Sequence, residues 1–415
     1  MKRILLNVAW LTTLIAGCSQ VNDDKVISLY YDDQLLIDAR EAILNEDPLI
    51  MDHYIALKSY TDSEYLTMQP LSIVDDKIHF APSRDPRDYI SLSPYWWPDP
   101  NVEGGVPYIR DDGNRNPEVY EYHERERGDL FGKAVQSLAV MYYLSQDEKY
   151  AAKAAELIRT WFLDHTKGMN PNMTYAQYVP GMEKIRGTGI IDSRRFMTGL
   201  NAAQIIVDSE SWSDEDEKAL KRWAEAFAYW LENSVNGVTE VNSPNNHGLW
   251  YEVIHQMAVM YTGDYDYLRE IIIEQQLPRF SLQVAEDGSL PHELARTLGL
   301  HYTTFALEAV NLSDIMAQKV GVDVWGYVGE NGRSMKMAVD YVLPYYENPE
   351  EWPHMQIKPF TPNRGAIILY HAGQRLDDQR YSDMAMKIGQ EVGGDGENVN
   401  NIASINNVLY YKLNK

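Results

Sequence analysis

Apolar residues recur every three or four positions along most of the chain, which is the spacing of one face of an α-helix. Ser213 precedes one such stripe and Asp216 follows three residues later, a capping-box pattern that predicts a helix start. Convincing strand patterns are few. The stripes are Leu130-Ala134-Leu138-Met141, Phe196-Leu200-Ala203-Val207, Leu220-Trp223-Phe227-Trp230-Leu231, Trp250-Ile254-Met257-Tyr261 and Phe305-Ala309-Leu312-Met316.

This pattern predicts an all-α protein. Helices of roughly 12 to 20 residues with short polar connections favour antiparallel helical hairpins. Stacked in a ring, about six to seven such hairpins form an (α/α) toroid, or barrel, whereas an open solenoid is the competing arrangement. Periodicity does not decide between the two, and no strong linker divides the chain after Cys18. We therefore predict a single domain over residues 28–415.

The segment from Ser83 to Pro117 is different, because Pro, Gly, Asp and aromatic residues replace the helical pattern. It contains Tyr95-Trp96-Trp97, and a pair of Trp residues is not typical of a flexible linker, so we predict a long ordered loop. Trp97 is a candidate for stacking on a sugar ring. Filling the core is an equally good explanation for it.

The N-terminus has the pattern of a secretory signal. Lys2 and Arg3 precede an apolar run that ends in Ala16-Gly17-Cys18, and Cys18 is the only Cys in the chain. We expect a lipoprotein signal peptide over residues 1–17, a lipidated Cys18 and a tether over residues 18–27. The protein is then a bacterial lipoprotein anchored in the outer membrane, on its periplasmic or cell-surface face.

The composition and the missing motifs exclude several classes of protein and of binding partner. With 61 acidic and 37 basic residues the formal charge is −24, which argues against nucleic acid as a partner. A hydrophobic fraction of 45 % excludes global disorder, and a single Cys excludes an intramolecular disulfide. The HExxH, P-loop, GxGxxG and GxSxG motifs are missing from the sequence. We predict no metal and no cofactor.

Candidate chemistry begins with Asn246 and His247, which follow Pro244 and precede the stripe that starts at Trp250. Pro and Asn are common where helices begin, so both side chains are expected at a helix N-terminus, which favours an anion. The amide of Asn246 and the imidazole of His247 are suited to binding a carboxylate there. The alternative is a helix cap beside a packed His.

A second candidate pair is Arg296 and Tyr302. Residues six positions apart point about 120° away from each other on an ideal helix. The two side chains share a site only if the backbone breaks between them, and Gly299 is a plausible break. The alternative is the start of an amphipathic helix with an exposed Arg and a half-buried Tyr.

A third cluster, Tyr175, Gln177, Tyr178 and Arg186, lies in a Gly- and Pro-rich stretch. Amide, phenol and guanidinium groups in such a loop are suited to binding sugar hydroxyls and carboxylates.

Taken together, these motifs resemble the alginate lyase superfamily with the α/α-toroid fold. The resemblance rests on Asn245-Asn246-His247-Gly248-Leu249-Trp250, on Glu293-Leu294-Ala295-Arg296 with Leu300-His301-Tyr302, on Tyr175-Ala176-Gln177 with Pro180-Gly181 and Arg186-Gly187, and on Tyr95-Trp96-Trp97-Pro98-Asp99-Pro100. The four blocks occur in the family's order between Tyr89 and Ala309. Arg296 and Tyr302 are one residue closer together than in the best-known mannuronate lyases. This spacing is similar to that of the gut-bacterial branch, polysaccharide lyase family 38, and it leaves the uronate preference open.

The resemblance implies β-elimination on an acidic polysaccharide, either alginate, built of mannuronate and guluronate, or a related uronan. Asn246, His247 and Arg296 would neutralise the sugar carboxylate, and Tyr302 would transfer protons, its phenolate favoured by the Arg cation. Gln177, Tyr175, Tyr178, Arg186, Trp250 and Trp97 would bind substrate. Two rival functions are an α/α-toroid glycoside hydrolase, which needs a carboxylate pair, and a non-catalytic, lipid-anchored glycan-binding protein.

Overall fold

The computed structural model describes residues 26–182, 186–389 and 402–413. Cys18, the predicted signal peptide and most of the predicted tether lie outside the described residues. The described chain is mostly helical, as predicted. None of its helices is both long enough and apolar enough to cross a bilayer.

Sixteen α-helices are present in the described residues, with short π and 3₁₀ segments at some of their ends. Their bounds are α1 Asp33–Leu44, α2 Pro48–Tyr60, α3 His123–Ser145, α4 Glu148–Ile158, α5 Thr198–Ile205, α6 Asp214–Asn233, α7 Val235–Val241, α8 Asn246–Thr262, α9 Tyr265–Ile271, α10 Leu277–Gln283, α11 Pro291–Leu294, α12 Gly299–Gln318, α13 Met335–Glu347, α14 Ala366–Leu376, α15 Gln379–Ile388 and α16 Ile402–Leu409.

The helices form a closed ring. Helices α1, α3, α5, α8, α12 and α14 contact one another in this order, with α2, α4, α6, α13 and α15 on the outside. Arg375 in the last turn of α14 donates to Asp32, the N-cap of α1, over 3.2 Å, which joins the two ends of the series. The ring confirms the predicted toroid and excludes the open solenoid.

Local signals place the helix ends where the sequence predicted them. Ser213 and Asp216 form the capping box of α6. Asn245 caps α8, so Asn246 and His247 lie in its first turn. The chain is not helical between α11 and α12, and α12 begins at Gly299, the predicted break. One stripe member was assigned wrongly: Leu130 is exposed on α3, because the buried face there passes through Phe131 and Ala134.

The loop from Ser83 to Pro117 is ordered by short strands. These are β1 Ile90–Leu92, β2 Trp96–Trp97 and β3 Ile109–Arg110, and the fourth strand of the described chain is β4 Tyr175–Tyr178. Strand β1 pairs with β4 in parallel, and β2 pairs with β3 antiparallel. The two small sheets attach the loop to the helical ring.

The end of the ring where α12 finishes is closed by the N-terminal segment of residues 26–31. Asn201 of α5 accepts hydrogen bonds from the Ser28 hydroxyl at 2.7 Å and from the Leu29 amide at 2.8 Å. Lys319, the C-cap of α12, donates to the carbonyl oxygens of Ser28 and Tyr31 and pairs with Asp33 over 2.6 Å. The opposite end, where α8 and α12 begin, stays available for a site.

Candidate active site

Asn246 lies at the start of α8 and is fixed by Glu293 from α11. The Asn246 side-chain amide donates to Glu293 Oε2 over 2.8 Å, and its backbone N–H donates to the other carboxylate oxygen. Glu293 is buried. Burial raises the pKa of Glu293 above its usual value, although the bonds from Asn246 and the charges of Arg296 and His247 oppose that rise. Glu293 therefore fixes the position of Asn246 through two hydrogen bonds.

His247, the next residue, is oriented by Glu240. Its Nδ1 lies 2.6 Å from Glu240 Oε1, and the Glu240 side chain is almost completely buried. A carboxylate accepts a hydrogen bond and does not donate one, so it selects the neutral tautomer of His247 that carries the hydrogen on Nδ1 and the lone pair on Nε2. This arrangement prepares Nε2 to accept a proton.

Arg296 packs against Tyr302, as the break at Gly299 allows. The Arg296 guanidinium carbon lies 3.8 Å from the centre of the Tyr302 ring. Asp112, from the ordered loop, accepts from Arg296 Nε at 3.0 Å and from Nη2 at 2.8 Å. This two-pronged ion pair fixes the guanidinium plane, and the arginine charge holds the pKa of Asp112 at about 2 despite partial burial.

Tyr302 also contacts the ordered loop through Tyr95, and the two phenol oxygens are 3.3 Å apart. Burial raises the pKa of Tyr302 far above its usual value, and the nearby Tyr95 adds to the rise. The Arg296 charge acts in the opposite direction but is outweighed. The arginine cation thus favours the phenolate, as expected, but in this arrangement the burial of Tyr302 outweighs it.

Three predicted binding residues lie on β4. Gln177 has a φ of 51°, in the left-handed region that few residues other than Gly adopt, and its side-chain amide donates to Asp192 Oδ1 over 3.0 Å. Tyr178 is exposed, and Tyr175 is half-buried. The buried amide of Gln177 is thus tied to the scaffold, whereas Tyr178 is accessible to a ligand.

Two further residues that were predicted to bind substrate are Trp97, in the loop from Ser83 to Pro117, and Arg186, which packs against that loop. The Arg186 guanidinium carbon lies 5.2 Å from the centre of the Trp96 ring, and burial lowers the pKa of Arg186. Trp97 is half-buried, and its indole N–H donates to the Asn114 carbonyl over 3.0 Å. Both Trp residues therefore brace the loop and leave part of their rings accessible.

Trp250 is placed differently from the other predicted binding residues. It is buried inside the ring, one turn further along α8 than Asn246, and its indole N–H donates to the Phe305 carbonyl over 3.1 Å. Arg194 stacks on the Trp250 ring at 5.4 Å. Arg194 therefore faces the interior of the ring.

Four residues that complete the site were not among the predicted ones: Glu240, Glu293, Asp112 and Tyr95. Glu293 and Tyr95 belong to the sequence motifs described above, so the sequence offered a way to identify them as site residues. Glu240 and Asp112 are two acidic residues among 61 and carry no distinguishing spacing. Because Glu240, Glu293 and Asp112 all hold other side chains, they are poorly suited to be the acid and base of a hydrolase.

No group of three His, Cys, Asp or Glu side chains in the described ranges is arranged to hold a metal ion.

The sequence and structure are similar to known alginate lyases. The alginate lyase family model matches residues 72–352. A crystal structure of an alginate lyase from Bacteroides ovatus has a TM-score of 0.82 and 33 % identity, covering 92 % of this chain and 98 % of that one. No curated protein sequence matches the chain.

A more distant structure shows the same fold. Alginate lyase A1-III, as a His-to-Ala variant complexed with a tetrasaccharide, has a TM-score of 0.51 and 15 % identity over 79 % of this chain and 88 % of that one. At this identity the similarity concerns the fold alone. The family match over more than half of the chain, together with the Bacteroides ovatus structure, shows that the chain belongs to the alginate lyase family and is a polysaccharide lyase.

Proposed function

We propose that this polysaccharide lyase cleaves alginate by β-elimination at the site where α8 and α12 begin. One observation carries the proposal: buried carboxylates hold Asn246 and His247 side by side in the first turn of α8, while Arg296 stacks on Tyr302 at 3.8 Å. Amide, imidazole and guanidinium groups are suited to stabilising the charge that develops on a uronate, and imidazole and phenol groups are suited to transferring its protons. The alginate lyase from Bacteroides ovatus supports alginate as the substrate.

The chemistry begins with the sugar carboxylate. The hydrogen on C5 is acidic enough to be removed only if the charge that develops on the adjacent carboxylate is stabilised. Asn246 has a second amide N–H besides the one given to Glu293. Arg296 binds Asp112 through Nε and Nη2 and retains Nη1. These donors are suited to stabilising the enolate-like intermediate.

The proton transfers follow from the hydrogen bonds of His247 and Tyr302. His247 Nε2 takes the C5 proton, the C4–C5 double bond forms, and the C4–O4 bond breaks as the neutral Tyr302 phenol protonates O4. This division of roles suits guluronate, in which C5–H and O4 lie on opposite faces of the ring. In mannuronate they lie on the same face, so Tyr302 must both remove the C5 proton and protonate O4. The raised pKa of Tyr302 makes removal of the C5 proton harder.

Tyr302→Phe tests the assignment. We expect loss of the ultraviolet absorbance of unsaturated products by a factor of about 10³ or more, because the proton donor to O4 is gone. Tyr251→Phe is the matched control, since Tyr251 is also a buried tyrosine of the helical toroid, and its hydroxyl donates to the Leu231 carbonyl. Near-normal elimination by a folded Tyr302→Phe protein would refute the role.

The substrate is tested separately with poly-mannuronate, poly-guluronate and glucuronan. Selective loss of activity on poly-guluronate in His247→Ala is the expected sign that His247 is the base for that sugar. Products without the double bond would point to a hydrolase, and oligosaccharide binding without turnover would point to a glycan-binding protein.

We further propose that Cys18 anchors the protein to the outer membrane. The support is the sequence alone, namely the basic start, the short apolar run and the small residues before Cys18. Cys18→Ser should move the full-length protein from the membrane fraction to the soluble fraction of the cell. An unchanged distribution would contradict the anchor.

A further inference from the structure

Helix α12, which carries Tyr302, begins without a side-chain cap from its own N-cap residue. That residue is Leu298, whose aliphatic side chain has no acceptor and makes no capping hydrogen bond in the described structure. Helices α1, α4, α6 and α8 begin instead after Asp, Ser or Asn residues that accept from their own first turns. The first backbone N–H groups of a helix have no partner within that helix. Those of α12 therefore need acceptors from another part of the chain.

The chain that follows α13 passes directly beside this helix start. We call residues 352–358 the crossing segment. Gln356 lies opposite Leu298 in an antiparallel bridge, and the Ile357 amide donates to the Thr297 carbonyl over 3.0 Å. The crossing segment therefore runs alongside the non-helical stretch between α11 and α12.

The crossing segment supplies the acceptors that the start of α12 needs. The Met355 carbonyl accepts from the Gly299 amide over 2.9 Å. Gln356 Oε1 accepts from the Leu300 amide over 3.1 Å and from the His301 amide over 3.5 Å. The first three amides of α12 are thus satisfied by residues 55 or 56 positions further along the chain.

The approach of the two segments is close enough to explain the glycine at the break. A Cβ atom added at Gly299 would lie 3.2 Å from the Met355 carbonyl oxygen and 3.3 Å from the Trp352 indole nitrogen. The Trp352 ring packs edge-on against Tyr341 and Tyr345 of α13, with ring centres 6.1 Å and 4.9 Å apart. The crossing segment is thus anchored on α13 and pressed against the start of α12.

The ordered loop holds the same stretch from the other side. The Thr297 hydroxyl lies 3.4 Å from the Asp112 carbonyl oxygen, and Asp112 also pairs with Arg296. A Cβ atom added at Gly113 would lie 2.6 Å from the Thr297 hydroxyl oxygen and 3.1 Å from the Ile357 side chain. The loop therefore fixes Arg296, and the crossing segment fixes the helix that follows it.

We propose that Gln356 is a positioning residue for the elimination. By capping α12 from a distant part of the chain, its side chain holds Tyr302 in place relative to Arg296. The Gln356 Nε2 donates to the Lys358 carbonyl over 2.9 Å, which turns Oε1 toward the helix. The inference rests on the proposed function for the roles of Tyr302 and Arg296. Groups that act in one transition state must be placed closely, so loss of the cap lowers turnover.

Gln356→Met tests this role, because Met has a similar length and no amide oxygen. We expect kcat to fall about 10- to 100-fold while KM stays within about threefold, since Tyr302 and Arg296 act on the transition state. Gln356→Glu keeps an acceptor, and a helix N-terminus favours an anion, so kcat should stay within about threefold of wild type. Unchanged kcat in Gln356→Met, or equal losses in Gln356→Met and Gln356→Glu, would overturn the proposal.

Gln204→Met is the matched control. Gln204 is also half-buried, and its side-chain amide donates to the Val26 carbonyl over 2.8 Å, which joins two segments at the closed end of the ring. This variant should lower the melting temperature about as much as Gln356→Met does, with kcat unchanged. If Gln356→Met gives the same result, with a lower melting temperature and unchanged kcat, Gln356 is structural only and the proposal is wrong.

Amide hydrogen exchange, followed by mass spectrometry, tests the cap independently of activity. The peptide that contains residues 300–302 should exchange about fivefold faster or more in Gln356→Met than in wild type or Gln356→Glu. This measurement keeps the two proposals apart. Absent elimination by the wild-type chain, with faster exchange in Gln356→Met, contradicts only the proposed function. Normal elimination, with exchange that does not depend on Gln356, contradicts only the cap.

Discussion

The two ends of helix α12 perform different tasks with similar chemistry. Near its start Arg296 is paired with Asp112 and packs on Tyr302, and the Arg296 side chain keeps 13 % of its surface exposed. At its end Lys319 is paired with Asp33, is 9 % exposed, and also donates to two backbone carbonyls. Lys319 thus holds the N-terminal segment and the first residue of α1 against the end of α12.

The difference lies in what surrounds each ion pair. At the start, the partners Asp112 and Tyr95 come from a loop that also presents Tyr and Trp side chains to the outside. At the end, the partners are Asp33 and two backbone carbonyls of the segment that closes the ring. We therefore expect the ion pair made with the loop to matter for activity, and the ion pair made with the closing segment to matter for stability. Variants at each end test this distinction.

The largest effect is expected for Glu240→Gln at the start of α8. A Gln side chain can accept or donate, so it no longer fixes the hydrogen on Nδ1 of His247, and the base loses its orientation. We expect kcat on poly-guluronate to fall by about 10³-fold, with the melting temperature little changed.

Glu232→Gln is the matched control for that change. Glu232 binds His255 Nε2 over 2.8 Å on the outer side of α8, with the same pair of residue types and a similar distance. Its activity should stay within about twofold of wild type. Equal losses in the two variants would show that the His–Glu pairs are structural.

An intermediate effect is expected for Asp112→Asn, which breaks the ion pair between the loop and Arg296. The guanidinium loses its two-pronged partner, so kcat/KM should fall about 10- to 100-fold. Asp216→Asn removes the same kind of pair with Arg159, far from the site, and should reduce stability without reducing turnover. Unchanged kcat/KM in Asp112→Asn would show that the contact between the loop and Arg296 does not contribute to catalysis.

The same variant gives a pH test. The folded pKa of Asp112 is lowered to about 2, below its value near 4 in an unfolded chain. The pair therefore contributes its full stability above about pH 4 and loses it as the pH falls toward 2. The difference in unfolding free energy between wild type and Asp112→Asn should be constant from about pH 7 to 5. A difference that disappears within that range would contradict the lowered pKa.

The smallest effect on activity is expected for Lys319→Met at the closed end. Removing the cation leaves Asp33 and two carbonyls without their donor, so the free energy of unfolding should fall by about 2 kcal/mol. Elimination at 25 °C should remain within about twofold of wild type, since the site lies at the other end of α12. A large loss of activity without a loss of stability would contradict the assignment of Lys319 to stability alone.

Much of the scaffold follows from local spacing. The stripes, the cap at Ser213, the start of α8 at Asn246 and the break before Gly299 were all predicted, because each depends on residues within one or two helical turns. The short strands escaped prediction, since two- to four-residue strands are too short to show a period. Leu130 was assigned to the wrong face for a related reason, because one position shifts a residue by 100° around a helix.

The sequence by itself determined which side chains stand at the helix starts and that the protein is built of helices. The tertiary structure decided the partners of those side chains. Glu293 is 47 positions from Asn246, Asp112 is 184 positions from Arg296, and Tyr95 is 207 positions from Tyr302. No local pattern encodes such pairings, because they exist only once the ring has closed and brought distant segments together. The raised pKa of Tyr302 has the same origin, since the burial of its side chain is a property of the assembled site.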